Sequence, residues 1–362
     1  MPSKLNLQRL MLTLVLLAAS TSGLQAKKAG IPVSFYRLQS AVTLPGASPD
    51  WDYLAYDAPR HRLFIARRGA GLWAFDTWVH RIERLVPDTL DAGAVVLIPE
   101  LERGFTTNED GSTTVFNLRT LRPIQRIKFA DDGDAASYDA VTGRIAFVSA
   151  DSRLITFMDA RSLKILGRVA LKSEKLDASV ADGGGAFLIN ERDRNMVAKV
   201  DAKTMKVLAE WPTVGCNQPT GLAIDTADDR AFIGCRGTVP VLAIMDTVDG
   251  HIVATLPLGR GNDGVAWDAV RKRILTTNGI EANIVVYRQD NPDHYRLEQA
   301  IATRRNARTI AIDSDLQKIF TVTAEGVVNP SEPINTGPSQ FYPNSYYDNS
   351  FVVLSYGIGP HR

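Results

Sequence analysis

Short apolar runs alternate with polar turns along most of the chain. The plainest stretch begins with Gly221-Leu-Ala-Ile-Asp225, a turn at Thr226 to Asp229, and Arg230-Ala-Phe-Ile-Gly234. Val241-Leu-Ala-Ile-Met245, a turn from Asp246 to Gly250, and His251-Ile-Val-Ala-Thr-Leu256 follow. Brief runs rich in Val, Ile and Phe, bounded by Asp, Gly and Thr, predict four strands joined by tight turns. The aspartate ending the first run suits a turn, because its carboxylate accepts the next backbone N–H groups.

This unit recurs. Asp57, Asp139, Asp182, Asp225, Asp268 and Asp313 close equivalent runs, and Ile98 replaces the aspartate in one copy. Neighbouring copies lie 41 to 45 residues apart. Four strands at that period predict an all-β fold, a β-propeller with one blade per repeat. Blades begin near residues 53, 94, 136, 179, 221, 265 and 309. The last copy has only three runs, ending in Phe351-Val-Val-Leu-Ser355. A strand within about 33–46 (Val33 to Leu38, Ala41 to Leu44) supplies the fourth. The chain's start thus completes the last of seven blades, and closure leaves no long sheet edge exposed.

The first 26 residues read as a secretory leader. Lys4 and Arg9 precede an apolar stretch from Leu10 to Ala19 that is too short to span a bilayer, and Ala26 offers a cleavage edge. Residues 27–362 then form one propeller domain, expected to be monomeric and periplasmic or secreted. Net charge falls from +1 to about −1 once Lys4 and Arg9 leave, so no global field favours nucleic acid or anionic membrane. Export makes a disulfide possible between the two cysteines, Cys216 and Cys235. Both sit at blade ends on one face, with two buried thiols or a reactive pair as the alternatives.

Gly221 to Gly234, Val241 to Asp246, Gly250 and Ala254-Thr-Leu-Pro-Leu-Gly259 together resemble the repeat of the YVTN-type family of β-propellers. Gly261-Asn-Asp-Gly-Val-Ala-Trp-Asp268 looks like the start of the next such repeat. Runs such as Ala231-Phe-Ile-Gly234 stand where the family has its namesake tetrapeptide. The resemblance implies an exported, YncE-like seven-bladed protein. It leaves the activity open, because one fold hosts many functions.

In a propeller the first strand of each blade lines the central channel. The residue five before each repeat aspartate then falls at one channel mouth. These positions are Asp52, Gly93, Asp134, Asp177, Thr220, Asp263 and Arg308. Four carboxylates and an arginine at one mouth suggest a ligand site. Ca²⁺ or Mg²⁺ held by Asp52, Asp134, Asp177 and Asp263 would relieve the crowding of charge. Strand-capping aspartates are the plainer alternative.

His61, His80, His251, His294 and His361 all map away from this mouth, which argues against a His-ligated metal or a Ser-His-Asp triad there. An insertion at about 325–349 carries Phe341, Tyr342, Tyr346 and Tyr347 and emerges on the same face, as a lid, a partner surface or a local cover.

The expected function is binding of a small molecule or protein partner at this face. The candidate contacts are Asp52, Asp134, Asp177, Thr220, Asp263, Arg308, Tyr342 and Tyr346. No nucleophile–base pair is evident. A divalent-metal-assisted, lactonase-like hydrolase is the second reading. Single-stranded DNA binding is the third, through Arg67, Arg68, Arg236, Arg260, Arg304 and Arg305.

Overall fold

A computed structural model describes residues 35–333 and 342–358. The expected leader, the start of the closing segment, and Pro338, Phe341 and His361 lie outside the described residues. Seven four-stranded sheets and a two-stranded ribbon, Gly326–Val327 with Ser345–Tyr346, make up the described fold, with no α-helix among the described residues. The innermost strands of the seven sheets are Leu54–Asp57, Ala92–Ile98, Ala135–Asp139, Leu176–Ala181, Pro219–Asp225, Asn262–Asp268 and Ala311–Asp313. Each innermost strand touches the next, and that of blade 7 touches that of blade 1, so the ring closes. In blade 7 the order outward is Ala311–Asp313, Lys318–Thr323, Val352–Ile358 and Tyr36–Thr43. The last two run antiparallel, with Tyr36 opposite Ile358 and Thr43 opposite Val352. The strand from the chain's start therefore closes the last blade.

Burial explains the pattern of the runs. Second strands such as Arg62–Ala66 and Ala186–Glu191 are buried along their whole length, because both of their faces pack against neighbouring blades. Continuous apolar sequence is what such a position requires. Fourth strands face solvent on one side, and Pro123–Lys128 is exposed at nearly every residue. Aromatic pairs bridge adjacent blades: Phe64–Phe116, Phe129–Phe147, Phe157–Phe187, Phe232–Trp267 and Tyr56–Phe320, with ring centroids 4.6–5.8 Å apart. Each pair contributes roughly 0.5–1.5 kcal/mol beyond the area it buries.

Polar contacts also cross the blade interfaces. In blades 1, 2, 3 and 5 the arginine opening the second strand reaches a carbonyl in an outer turn of the following blade. Arg62 donates to Leu118, Arg103 to Ala160 (2.8 Å), Arg144 to Ala202 and Arg230 to Pro292 (3.1 Å). The residue preceding each second strand is left-handed in all seven blades: His61, Glu102, Gly143, Gly185, Asp229, Lys272 and Gln317. The repeat aspartate fixes the same turn from its other end, as when Asp139 accepts the Thr142 N–H at 2.8 Å.

Cys216 and Cys235 form a disulfide with a Cα–Cα distance of 5.4 Å. It ties the loop entering blade 5 to the end of that blade's second strand. His294 opens the last strand of blade 6, His294–Ala302.

Candidate functional site: a charged cavity at the channel mouth

Two sets of loops meet at one end of the channel. Loops entering the first strands carry Asp52, Asp134 and Arg308, and the second residues of the first strands of blades 4 and 6 are Asp177 and Asp263. Loops leaving the second strands carry Arg68, Arg192 and Arg236. Together with Asp50, Lys175 and the insertion's Tyr342, Tyr346 and Asp348 they line a cavity of about 610 Å³. Below it the channel narrows to a space of about 200 Å³ between Tyr53 and small residues such as Ala94, Ala135 and Ala178.

The carboxylates and guanidinium groups are interleaved. Arg68 is shared between Asp52 and Asp134, the latter at 3.3 Å. Arg236 pairs with Asp263. Arg192 lies 3.7 Å from Asp177, beyond hydrogen-bonding distance. Tyr53 donates its hydroxyl to Asp177 at 3.3 Å. Lys175 turns outward to Asp151 at 2.6 Å.

Arg308 holds the rim together. Its guanidinium donates to Asp263 (3.1 Å), Asp50 (2.8 Å), the Tyr342 hydroxyl (2.9 Å) and the Trp51 carbonyl. It also lies 4.7 Å above the Trp51 ring, which is fully buried against Tyr346 and Phe351. One side chain thus joins blade 6, the segment entering blade 1, and the insertion.

This arrangement sets the proton affinities. Burial pushes the Asp52 carboxyl up to about 8; Arg68 opposes that rise, and the charges of Asp134 and Asp263 add to it. Burial likewise raises Asp177 to about 7 against the pull of Arg192, with Asp263 and Asp134 raising it further. Burial also acts upward on Asp50, but the charge and hydrogen bond of Arg308 and the Trp51 N–H hold it below the ordinary range. Two carboxyls in the wall therefore hold a proton more tightly than an ordinary aspartate does.

Of the eight expected contact residues, seven line this cavity. Thr220 does not. It is fully buried, and its hydroxyl is taken by the carbonyls of Gly234 (3.2 Å) and Asn262 (3.1 Å). Arg192, Lys175 and Asp348 were not expected. The position just after a second strand was the available signal for Arg192, as it was for Arg236.

Each of the four aspartates assigned to Ca²⁺ or Mg²⁺ already has an arginine within 4 Å. Among the described residues, the one trio of acidic, histidine or cysteine side chains with ligand atoms within 4.8 Å of one another is Asp246, Asp249 and His251, in an outer turn. Arg67 is removed from any strand of phosphates: it is fully buried, between the rings of Trp73 (4.6 Å) and Phe351 (4.1 Å).

No family model matches the chain, and no curated protein does. Solved structures resemble it at the level of fold. The WD40 repeats of RRP9 superpose with a TM-score of 0.73 at 8% identity, over 90% of this chain and all (100%) of that one. A chain of a mitotic checkpoint complex gives 0.69 at 14% identity, over 86% and 96%. A chain of hydrazine synthase from Kuenenia stuttgartiensis gives 0.66 at 12% identity, over 77% and 94%. What they share with this chain is the propeller fold.

Proposed function

We propose that this is an exported propeller of the YVTN type that binds a ligand in its channel-mouth cavity. The ligand is a polar small molecule, or a charged segment of a partner protein, offering both donors and acceptors. One observation carries the reading: a cavity of about 610 Å³ whose walls alternate carboxylate and guanidinium groups around one mouth. Arg192 has hydrogen-bonding capacity to spare, and Asp52 and Asp134 share a single arginine. Such a wall recognises a ligand by orienting it through several convergent polar groups. The disulfide supports an oxidising compartment, as does the leader-like start of the sequence.

The test is thermal denaturation of the mature chain with a panel of amino acids, sugar acids and short charged peptides, repeated on Arg192→Ala and Asp134→Asn. Compounds that stabilise the wild type and fail on both variants support the reading. Equal stabilisation of all three proteins refutes it.

Catalysis is the second reading, favoured by the raised carboxyls. Asp177, at about 7 and hydrogen-bonded to Tyr53, has the proton affinity of a general acid–base group. Turnover of any lactone or ester that is lost in Asp177→Asn, and unchanged by chelators, would move the assignment from binding to catalysis.

A further inference from the structure

We propose that a second cavity on the mouth face, between blades 6 and 7 and behind the insertion, binds an organic anion: a carboxylate or phosphate on a small apolar body. This cavity measures about 600 Å³. Its lining includes Arg260, Arg304 and Arg305 together with the apolar Ile280, Ala324 and Val328. Arg260 pairs with Glu281 at 3.0 Å. Among the described residues Arg304 and Arg305 have no carboxylate within 4 Å and no side-chain hydrogen bond, although Glu325 also faces the cavity. Basic charge therefore exceeds acidic charge here, in contrast to the interleaved first cavity.

The second observation is Asn306. It lines the cavity at only 7% exposure, yet its side-chain amide has no hydrogen-bond partner among the described residues. Its backbone is fixed: φ is +65°, and its N–H donates to the Gly279 carbonyl at 2.8 Å. The amide is reached by solvent in the cavity, and a ligand oxygen there takes the place of water as its acceptor. Two guanidinium forks beside it match the oxygens of a carboxylate or phosphate. The apolar lining residues accept the ligand's body. The two cavities share only Tyr342 and Pro343, so this assignment stands apart from the first site.

Phenyl phosphate, benzoate, inorganic phosphate and benzyl alcohol are titrated into the full chain by calorimetry and saturation-transfer NMR. Phenyl phosphate or benzoate should saturate one site per chain, with whichever binds tighter naming the oxyanion. Benzyl alcohol should not bind. Asn306→Asp, which tolerates a left-handed backbone and adds a negative charge, should weaken binding at least about tenfold. The exposed pair Arg304→Gln and Arg305→Gln should do the same without disturbing the fold. Asp134→Asn in the first cavity should leave the affinity unaltered, which separates failure here from failure of the first site. The proposal is overturned if neither aromatic anion binds, if binding survives both sets of substitutions, or if inorganic phosphate binds as well as phenyl phosphate.

Discussion

Replacing Asp52 by Asn should make the protein less sensitive to alkali. The Asp52 carboxyl is enclosed by the cavity wall, its side chain 14% exposed, and it shares Arg68 with Asp134. Its proton affinity rises from the ordinary 3.8 to about 8. The folded chain therefore keeps a proton that the unfolded chain releases. Between pH 4 and 8, roughly, the folded state binds more protons, so stability falls as pH rises through that window and levels off above it. At about 1.4 kcal/mol per tenfold change in proton affinity, the ceiling is about 6 kcal/mol. Water entering the open cavity and adjustment of Arg68 reduce this to an expected 2–4 kcal/mol, on the order seen for partly screened groups. Asn has the same shape and no proton to lose. Urea unfolding followed by tryptophan fluorescence at about pH 4 and pH 8.5 measures the difference, and groups that titrate alike in both proteins cancel. The variant should match the wild type at the lower pH and exceed it at the higher one. A gap independent of pH, or a variant weaker at pH 8.5, would refute the assignment of a buried, protonated Asp52.

Other consequences are equally open to measurement. Replacing Cys216 and Cys235 by Ser opens a loop with a sequence separation of 19 and should cost about 3 kcal/mol in urea unfolding, with no change expected if the bridge does not form. Arg103→Ala removes donors to the Ala160 and Arg161 carbonyls of blade 3 and should cost about 1.5–3 kcal/mol, as charge-assisted bonds do. Gly234→Ala places a Cβ 1.8 Å from the buried Asn262 Oδ1 and should destabilise by more than about 1 kcal/mol, read as a lower denaturation midpoint. Removing residues up to Gly46 deletes the strand Tyr36–Thr43, bares the edge of Val352–Ile358, and should give oligomers or aggregate in size-exclusion chromatography.

The fold was legible because the repeat is written twice, in the apolar runs and in the turn aspartates. Buried second strands such as Arg230–Cys235 appear as unbroken apolar sequence. First strands were harder to bound. In blade 5 the strand starts at Pro219, before the apolar run, because Pro219 pairs with Cys235 ahead of a register shift. Counting back five residues found most of the acidic half of the mouth, since every blade enters the channel in the same way. The basic half was less regular. Arg68 stands two residues after its second strand, and Arg192 and Arg236 stand one after theirs, so no single offset collects them. Thr220 shows the limit of the rule: the backbone position repeats, but a short hydroxyl is satisfied by nearby carbonyls before it reaches the cavity. The clamp formed by Arg308 with Asp50, Trp51 and Tyr342 joins segments far apart in sequence, and no local pattern announces it.

The most direct test of the channel mouth as a binding site is a differential thermal screen of the wild type against the Arg192→Ala, Asp134→Asn double variant. The account predicts at least one polar small molecule or charged peptide that raises the wild-type midpoint and leaves the double variant unmoved. It is contradicted if no compound stabilises the wild type, or if those that do stabilise both proteins alike.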